Sequence, residues 1–344
     1  MIKKISPAMV AGSVVLLSAC GGGGGDGGDG GDGGSAPVQL ESKADALREL
    51  TFAGTVINVV VNNLPDDDNA DTARAKRHGH GNWGVVDAQR LFGPRQRAKQ
   101  ACPGGGKYVY ESSTRNHSFD YFSGVVLSMG VTRETGSHCR MPGTGEQGEQ
   151  LTTEYQGVLE DGRSGTLNDG SRYGYLLYGA GSEPYDRHFE VRDGNALLYR
   201  EDMGLRGRVE ARIAQDGAVD FRTVYHYDLD ANSYGDKFSA DVRLGSGTTA
   251  FRQYRTASAL IISGPYQYRI SGCQGGLVTA STPQAISLGE QGYPAGGSLR
   301  LVSGNSSVQF DFDAAGGATL ELNGVQQTLT PQEVRAALTD SEPC

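Results

Sequence analysis

From Tyr108 onward, polar and apolar residues alternate along the chain with a period of two. Arg208-Val209-Glu210-Ala211-Arg212-Ile213, Leu299-Arg300-Leu301 and Val308-Gln309-Phe310-Asp311-Phe312 carry the pattern most clearly. Successive side chains of a strand point to opposite faces, so the alternation predicts strands with one face buried and the other wet. Asp161-Gly162, Asp169-Gly170, Asp193-Gly194, Asp216-Gly217 and Asn323-Gly324 stand between such runs. These dipeptides suit the φ > 0 positions of tight hairpin turns, and repeated hairpins make neighbouring strands antiparallel. Strands and helices do not alternate regularly, which argues against a parallel α/β sheet. The predicted fold class is mainly β: an antiparallel meander forming an open barrel or sandwich.

Two helices are expected beside it. In residues 38–64, Leu40, Leu47, Leu50, Gly54, Ile57, Val61 and Leu64 recur at steps of three and four, interrupted only by Lys43, and Pro65 ends the pattern. The β-branched run Thr55 to Val61 also suits a strand. An apolar stripe on a helix must pack on something, and a meander with one apolar face needs cover. The N-terminal helix is therefore expected to pack on the β body through Leu47, Leu50, Ile57, Val61 and Leu64. Near the other end, Thr330-Pro331-Gln332-Glu333 is a capping box with proline at the first helical position, which predicts a short helix to about Leu338.

The first residues read as an address. Lys3 and Lys4 precede the apolar stretch Ala8 to Leu17, which is too short to span a bilayer and fits an export signal. It closes on Leu17-Ser18-Ala19-Cys20, which resembles the lipobox of bacterial lipoproteins. The resemblance implies a diacylglycerol on the Cys20 thiol, cleavage before it and, with Gly21 rather than Asp next, an outer-membrane destination. The glycine run that follows has neither the lysine of a phosphate loop nor the proline of collagen. It reads as a flexible tether of roughly 20–24 Å, kept hydrated by Asp26, Asp29 and Asp32. Two cysteines, Cys102 and Cys273, each open a Cys-x-Gly-Gly segment before a strand. With the stretch YPAGGSLRLVSGNSSVQFDFDAAGGATLELNG, residues 101–344 resemble uncharacterised β-rich lipoproteins of Gram-negative bacteria. That resemblance brings no activity and no catalytic residue.

The expected organisation is a signal peptide at 1–19, a tether at 20–36, a helix at 37–64 and a polar linker at 65–100. A β domain at 101–271 and a second β module at 272–344 follow. In the linker, Asp66, Asp67, Asp68 and Asp71 precede Arg74, Lys76, Arg77, Arg90, Arg95, Arg97 and Lys99. It reads as a solvated connector, with a basic strap on anionic lipid as the sharper alternative. Net charge is −9, and −11 without Lys3 and Lys4, which argues against nucleic-acid binding. Cys102, Cys139, Cys273 and Cys344 allow three pairings in an exported chain. Pairing in chain order, Cys102–Cys139 and Cys273–Cys344, staples one part of the β body each.

Chemical motifs are sparse. Gly162-Arg163-Ser164-Gly165 is one position short of a nucleophile elbow, and His78-Gly79-His80 is an incomplete metal site. His188 and Glu190 share a strand face. Asp228-Leu229-Asp230-Ala231-Asn232 starts like a calcium loop but has Ser233 and Ser239 where Gly and Glu belong, and reads as a polar turn. No cofactor, metal or catalytic residue is assigned. Tyrosine is the unusual feature: 16 against one tryptophan. The pairs Tyr108/Tyr110, Tyr173/Tyr175, Tyr225/Tyr227 and Tyr266/Tyr268 each place two rings on one strand face. They fill a β core or build an aromatic binding face for sugars or a protein. The functional expectation is a lipid-anchored outer-membrane protein with a non-enzymatic binding or envelope-support role. Its partners would be the membrane and an envelope glycan or another envelope protein. An envelope glycan hydrolase is the alternative.

Overall fold

The computed structural model describes residues 37–62, 102–145, 148–180, 183–273, 275–289 and 292–339, without the side chains of 54–62. The expected export signal at 1–19, Cys20, the expected tether and the expected 65–100 linker with His78 and His80, together with Leu64 and Cys344, lie outside the described residues. Helix α1 (Lys43–Asn62) comes first. The strands are β1 (Lys107–Ser118), β2 (Val126–Thr144), β3 (Gln150–Arg163), β4 (Arg172–Tyr178), β5 (Tyr185–Asp193), β6 (Ala196–Ile213), β7 (Val219–Ser233), β8 (Asp236–Leu244), β9 (Phe251–Arg255), β10 (Ala259–Ile270), β11 (Gly276–Leu288), β12 (Pro294–Ser303), β13 (Ser306–Phe312), β14 (Ala318–Leu322) and β15 (Val325–Leu329). Helix α2 (Pro331–Thr339) is the last of the described elements.

The strands form one antiparallel sheet with β1 and β15 at the ends of its path, so it is not a closed barrel. The meander is broken twice in the same manner. Strand β3 pairs with β5 over Gln150–Gln156 and with β4 over Leu159–Arg163, and both pair with β6. Strands β8 and β9 are likewise held end to end between β7 and β10. Gly157 and Gly264 lie against the two junctions with φ of 92° and 119°. A Cβ there would stand 2.3 Å from the Pro184 carbonyl oxygen and 2.8 Å from that of Ala250, so glycine is required for the close approach. Pairing of β10 with β11 carries the sheet across the expected 271/272 boundary. The buried core crosses it too, joining Tyr266 and Tyr268 to Val278, Leu299 and Phe310.

Four of the five predicted turns are turns. Asp161-Gly162 is the exception and lies inside β3. Its glycine serves packing: a Cβ at Gly162 would come within 2.0 Å of the Tyr175 ring. The ring of one strand lies flat over the bare backbone of the next, which no larger residue permits.

Helix α1 starts at Lys43, later than the sequence pattern suggests, because Ser42 and Asp45 form its capping box. Ser42 Oγ accepts from Asp45 N at 3.1 Å, and Asp45 Oδ2 accepts from Ser42 N at 2.9 Å. Residues before it are extended and pinned to the sheet. Val38 N donates to Ser303 Oγ at 2.7 Å, and Asn323 Nδ2 donates to the Leu40 carbonyl at 2.8 Å. Helix α2 has the predicted box, Thr330 with Glu333. Lys43 and Glu333 pair at 2.6 Å and tie the two helix starts together. The hydrogen bond from Lys43, with those from Thr330, holds the Glu333 carboxyl down at about 2.

The expected docking of α1 on the β body is observed. Leu50 is fully buried and Leu47 partly so; the side chains of Ile57 and Val61 lie outside the described set. Two further residues complete the contact. Phe52 stacks on Tyr266 and Tyr268 with centroids at 5.3 Å and 4.1 Å. Glu49, without solvent exposure, accepts hydrogen bonds from the hydroxyls of Tyr266, at 3.1 Å, and Tyr268. At the other end of the sheet, Cys102 and Cys139 form the expected disulfide, and Gly104 N and Arg140 N exchange bonds with Arg140 O and Gly105 O at 3.0 Å. Cys273 is also disulfide-bonded; the Cys273–Cys344 expectation ends on a residue outside the described set.

Candidate functional site

The tyrosine pairs do not form one exposed face. Tyr173, Tyr175, Tyr225, Tyr227, Tyr266 and Tyr268 are all buried. Tyr266 and Tyr268 carry α1, and Tyr225 packs edge-on to Tyr178 at 5.5 Å. Of the pairs, only Tyr108 and Tyr110, on the β1 edge, are half-buried rather than buried, and Tyr108 donates to Glu134 at 2.5 Å. The buried tyrosines fill core, and the hydroxyls of Tyr175, Tyr266 and Tyr268 reach the carboxylates of Glu160 and Glu49.

The polar face of the sheet, which Tyr173 and Tyr175 share and from which Tyr225, Tyr227, Tyr266 and Tyr268 point away, carries the candidate site. Register aligns two cross-strand rows there. In one, Tyr175 of β4 opposes Glu210 of β6, Glu210 opposes Arg222 of β7, and Arg222 opposes Arg252 of β9. Two residues along, Tyr173 opposes Arg212, Arg212 opposes Asp220, and Asp220 opposes Tyr254. Alternation places both rows on the same face.

The loop between β1 and β2 folds over part of this face and forms a wall. Phe119 and Phe122 pack against Tyr173 with Met129 and Val131 in a small second core. Glu210 anchors the loop: its carboxylate accepts from Asp120 N at 2.7 Å and Tyr121 N at 2.8 Å. Burial pushes this carboxyl above its ordinary value, and the two backbone donors oppose the shift. Arg208 pairs with Asp120, and Arg222 donates to the Tyr121 carbonyl. Next to the loop, burial and the adjacent Glu160 push the Tyr175 hydroxyl up to about 12. That hydroxyl donates to Glu160 at 2.7 Å, and Arg115 donates to the same carboxylate.

Beyond the wall lies a cleft of about 350 Å³, bounded by the Ala214–Ala218 turn and by Arg212, Asp220, Arg222, Arg252 and Tyr254. Asp220 sits between two guanidiniums, accepting from Arg222 at 3.0 Å and from Arg252 at 2.9 and 3.0 Å. This pairing holds Arg252 above its ordinary value. Each arginine also lies over an aromatic ring: Arg222 over Phe122 at 4.2 Å, Arg252 over Tyr254 at 5.4 Å and Arg212 over Tyr173 at 5.8 Å. Arg212 donates to Asp169 at 3.3 Å. Asp216 accepts from Ala218 N at 3.0 Å and shapes the turn. The two carboxylates in the cleft are therefore engaged in positioning, while the side chains of Arg212, Arg222 and Arg252 stay 40%, 30% and 39% exposed. Such an arrangement presents fixed N–H donors to a ligand.

The sequence does not mark these arginines as a site. Arg212 was visible only as part of an alternating run, and its partners come from two other strands. The other candidates are scattered. His188 lies between Asp202, at 2.5 Å, and Glu190, at 3.5 Å, on the exposed side of β5 and β6. Asp228 and Asp230 lie within β7 rather than in the expected polar turn. Ser164 accepts from Tyr173 N at 2.9 Å and supports the end of β3. No helix among the described residues is long and apolar enough to cross a membrane. No protein-family model, curated protein or solved structure matches the chain.

Proposed function

We propose that this protein is a lipid-anchored outer-membrane protein whose β body binds a ligand without transforming it. Cys20 is the attachment point of the lipid, the glycine run is the tether, and the polar face of the sheet carries the binding site. One observation supports the binding role above others: the cleft of about 350 Å³ in which Asp220 and three aromatic rings hold Arg212, Arg222 and Arg252 in place. Its volume falls at the lower end of the range for small-ligand sites. Side chains already held by partners lose less freedom when a ligand arrives. An envelope glycan is the favoured partner, because such a cleft offers donors, acceptors and ring surface together.

The test is retention of purified envelope polysaccharides on the immobilised full chain, compared with an Arg212→Ala/Arg222→Ala/Arg252→Ala variant of verified fold. Retention by the wild type and its loss in the variant are expected. Equal retention by both would remove the cleft from the function. Release of reducing ends from a retained glycan would replace binding by hydrolysis.

A further inference from the structure

We infer that the cleft recognises one compact oxyanion, a carboxylate or phosphate, carried on a hydroxylated ring: an acidic sugar. This narrows the binding role proposed above and rests on it.

The charges come first. Arg212, Arg222 and Arg252 line the cleft with Asp216 and Asp220, and Asp169 pairs with Arg212, so three guanidiniums stand against three carboxylates in a chain of net charge −9. The field of the whole molecule repels a long polyanion, so a single negative group would be held by the guanidinium donors left unused in the cleft rather than by net charge. The donors come second. Arg252 uses its Nε and Nη2 on Asp220, Arg222 uses one Nη on Asp220 and the other on the Tyr121 carbonyl, and Arg212 uses Nη2 on Asp169. A guanidinium has five N–H donors, so most of the fifteen have no acceptor among the described residues. Arg222 and Arg252 oppose each other across β7 and β9, and Arg212 on β6 is diagonal to Arg222. Donors from three strands therefore line one cleft, and an oxyanion can take two of them at once.

The rest of the lining fits the ring. Asp216 uses Oδ1 on Ala218 N, which leaves Oδ2 to accept from a sugar hydroxyl. Tyr254 supplies apolar ring surface with a hydroxyl at its tip. Ala214 and Ala218 leave the end of the cleft open, since neither side chain extends beyond a methyl group.

The experiment is calorimetric titration of the full chain with D-galacturonate, D-galactose, D-glucose 6-phosphate, D-glucose and inorganic phosphate, in about 25 mM and about 300 mM NaCl. Each acidic sugar is expected to bind at least about tenfold tighter than its neutral twin, and to lose that advantage in high salt. Glucose 6-phosphate is expected to bind tighter than inorganic phosphate. Arg212→Gln/Arg252→Gln should abolish the preference. Ala214→Leu, which fills the cleft and leaves every charge in place, should weaken all sugars alike and guards against loss of fold in the arginine variant. Equal binding of galacturonate and galactose, or no binding of either acidic sugar, overturns the inference. Inorganic phosphate binding as tightly as glucose 6-phosphate overturns its sugar part. If the oxyanion preference is absent but the arginine cleft still retains polysaccharide, the broader binding role survives; if cleft variants retain polysaccharide as well as the wild type, that role falls.

Discussion

Replacing Phe52 by alanine tests the joint between α1 and the sheet. The ring is 2% exposed and lies against both Tyr266 and Tyr268. Truncating a buried phenylalanine removes its transfer free energy and leaves a cavity, which together cost about 3–5 kcal/mol. The stacking of each aromatic pair, about 0.5–1.5 kcal/mol, is contained in that figure. Unfolding entropy is about 2.1 cal/mol/K per residue, so for the described body each kcal/mol lowers the midpoint by roughly 2 °C. The expected fall is therefore roughly 6–10 °C by scanning calorimetry. A docked helix can also open without the sheet. Limited trypsin digestion at Lys43 and Arg48, which the Lys43–Glu333 and Arg48–Asp45 pairs hold in the folded helix, reports that event separately. A lower midpoint or faster cleavage at these sites supports the joint. A midpoint within about 2 °C of wild type, with unchanged cleavage, would refute the reasoning, because no buried ring of this size can be lost silently from a formed contact.

Glu49→Gln should flatten part of the pH dependence of stability. Burial raises the Glu49 carboxyl above 4.5, against the opposing bonds from Tyr268 and Tyr266. The folded state then holds a proton that the unfolded chain has released, so stability present below the unfolded value is lost as pH rises through the folded one. Urea midpoints of wild type and variant should diverge from about pH 4.5 upward, with the wild type falling; parallel profiles would show that Glu49 does not titrate as a buried acid. Removing the Cys102–Cys139 bond as the double serine variant opens a loop of separation 37 and should cost roughly 4 kcal/mol in the chain-entropy model, read from denaturant midpoints; an unchanged midpoint contradicts a structural role. Cys20→Ala should abolish incorporation of a palmitate analogue and release the protein from membranes, and equal labelling of wild type and variant would end the lipoprotein assignment.

Signals confined to a few neighbouring residues could be read from the sequence. Alternation from Tyr108 onward identified strands, because side-chain direction follows from the local backbone alone. Thr330 and Glu333 identified α2, because a capping box closes within four residues. The leucine spacing around Leu47 and Leu50 showed that α1 had a face to bury. The tertiary structure alone decided what lay against each face. A period of two separates the two sides of a strand but does not say which strand is its neighbour, or what covers it. Tyr266 and Tyr268 could have been an exposed platform until α1 was seen lying on them. Asp161-Gly162 has the composition of a turn, yet Tyr175, on another strand, requires that glycine inside β3. Arg212, Arg222 and Arg252 become a site only through the register of β6, β7 and β9 and the wall formed by the β1–β2 loop. Register depends on pairing between distant parts of the chain, and the residues on either side of each arginine carry no record of it.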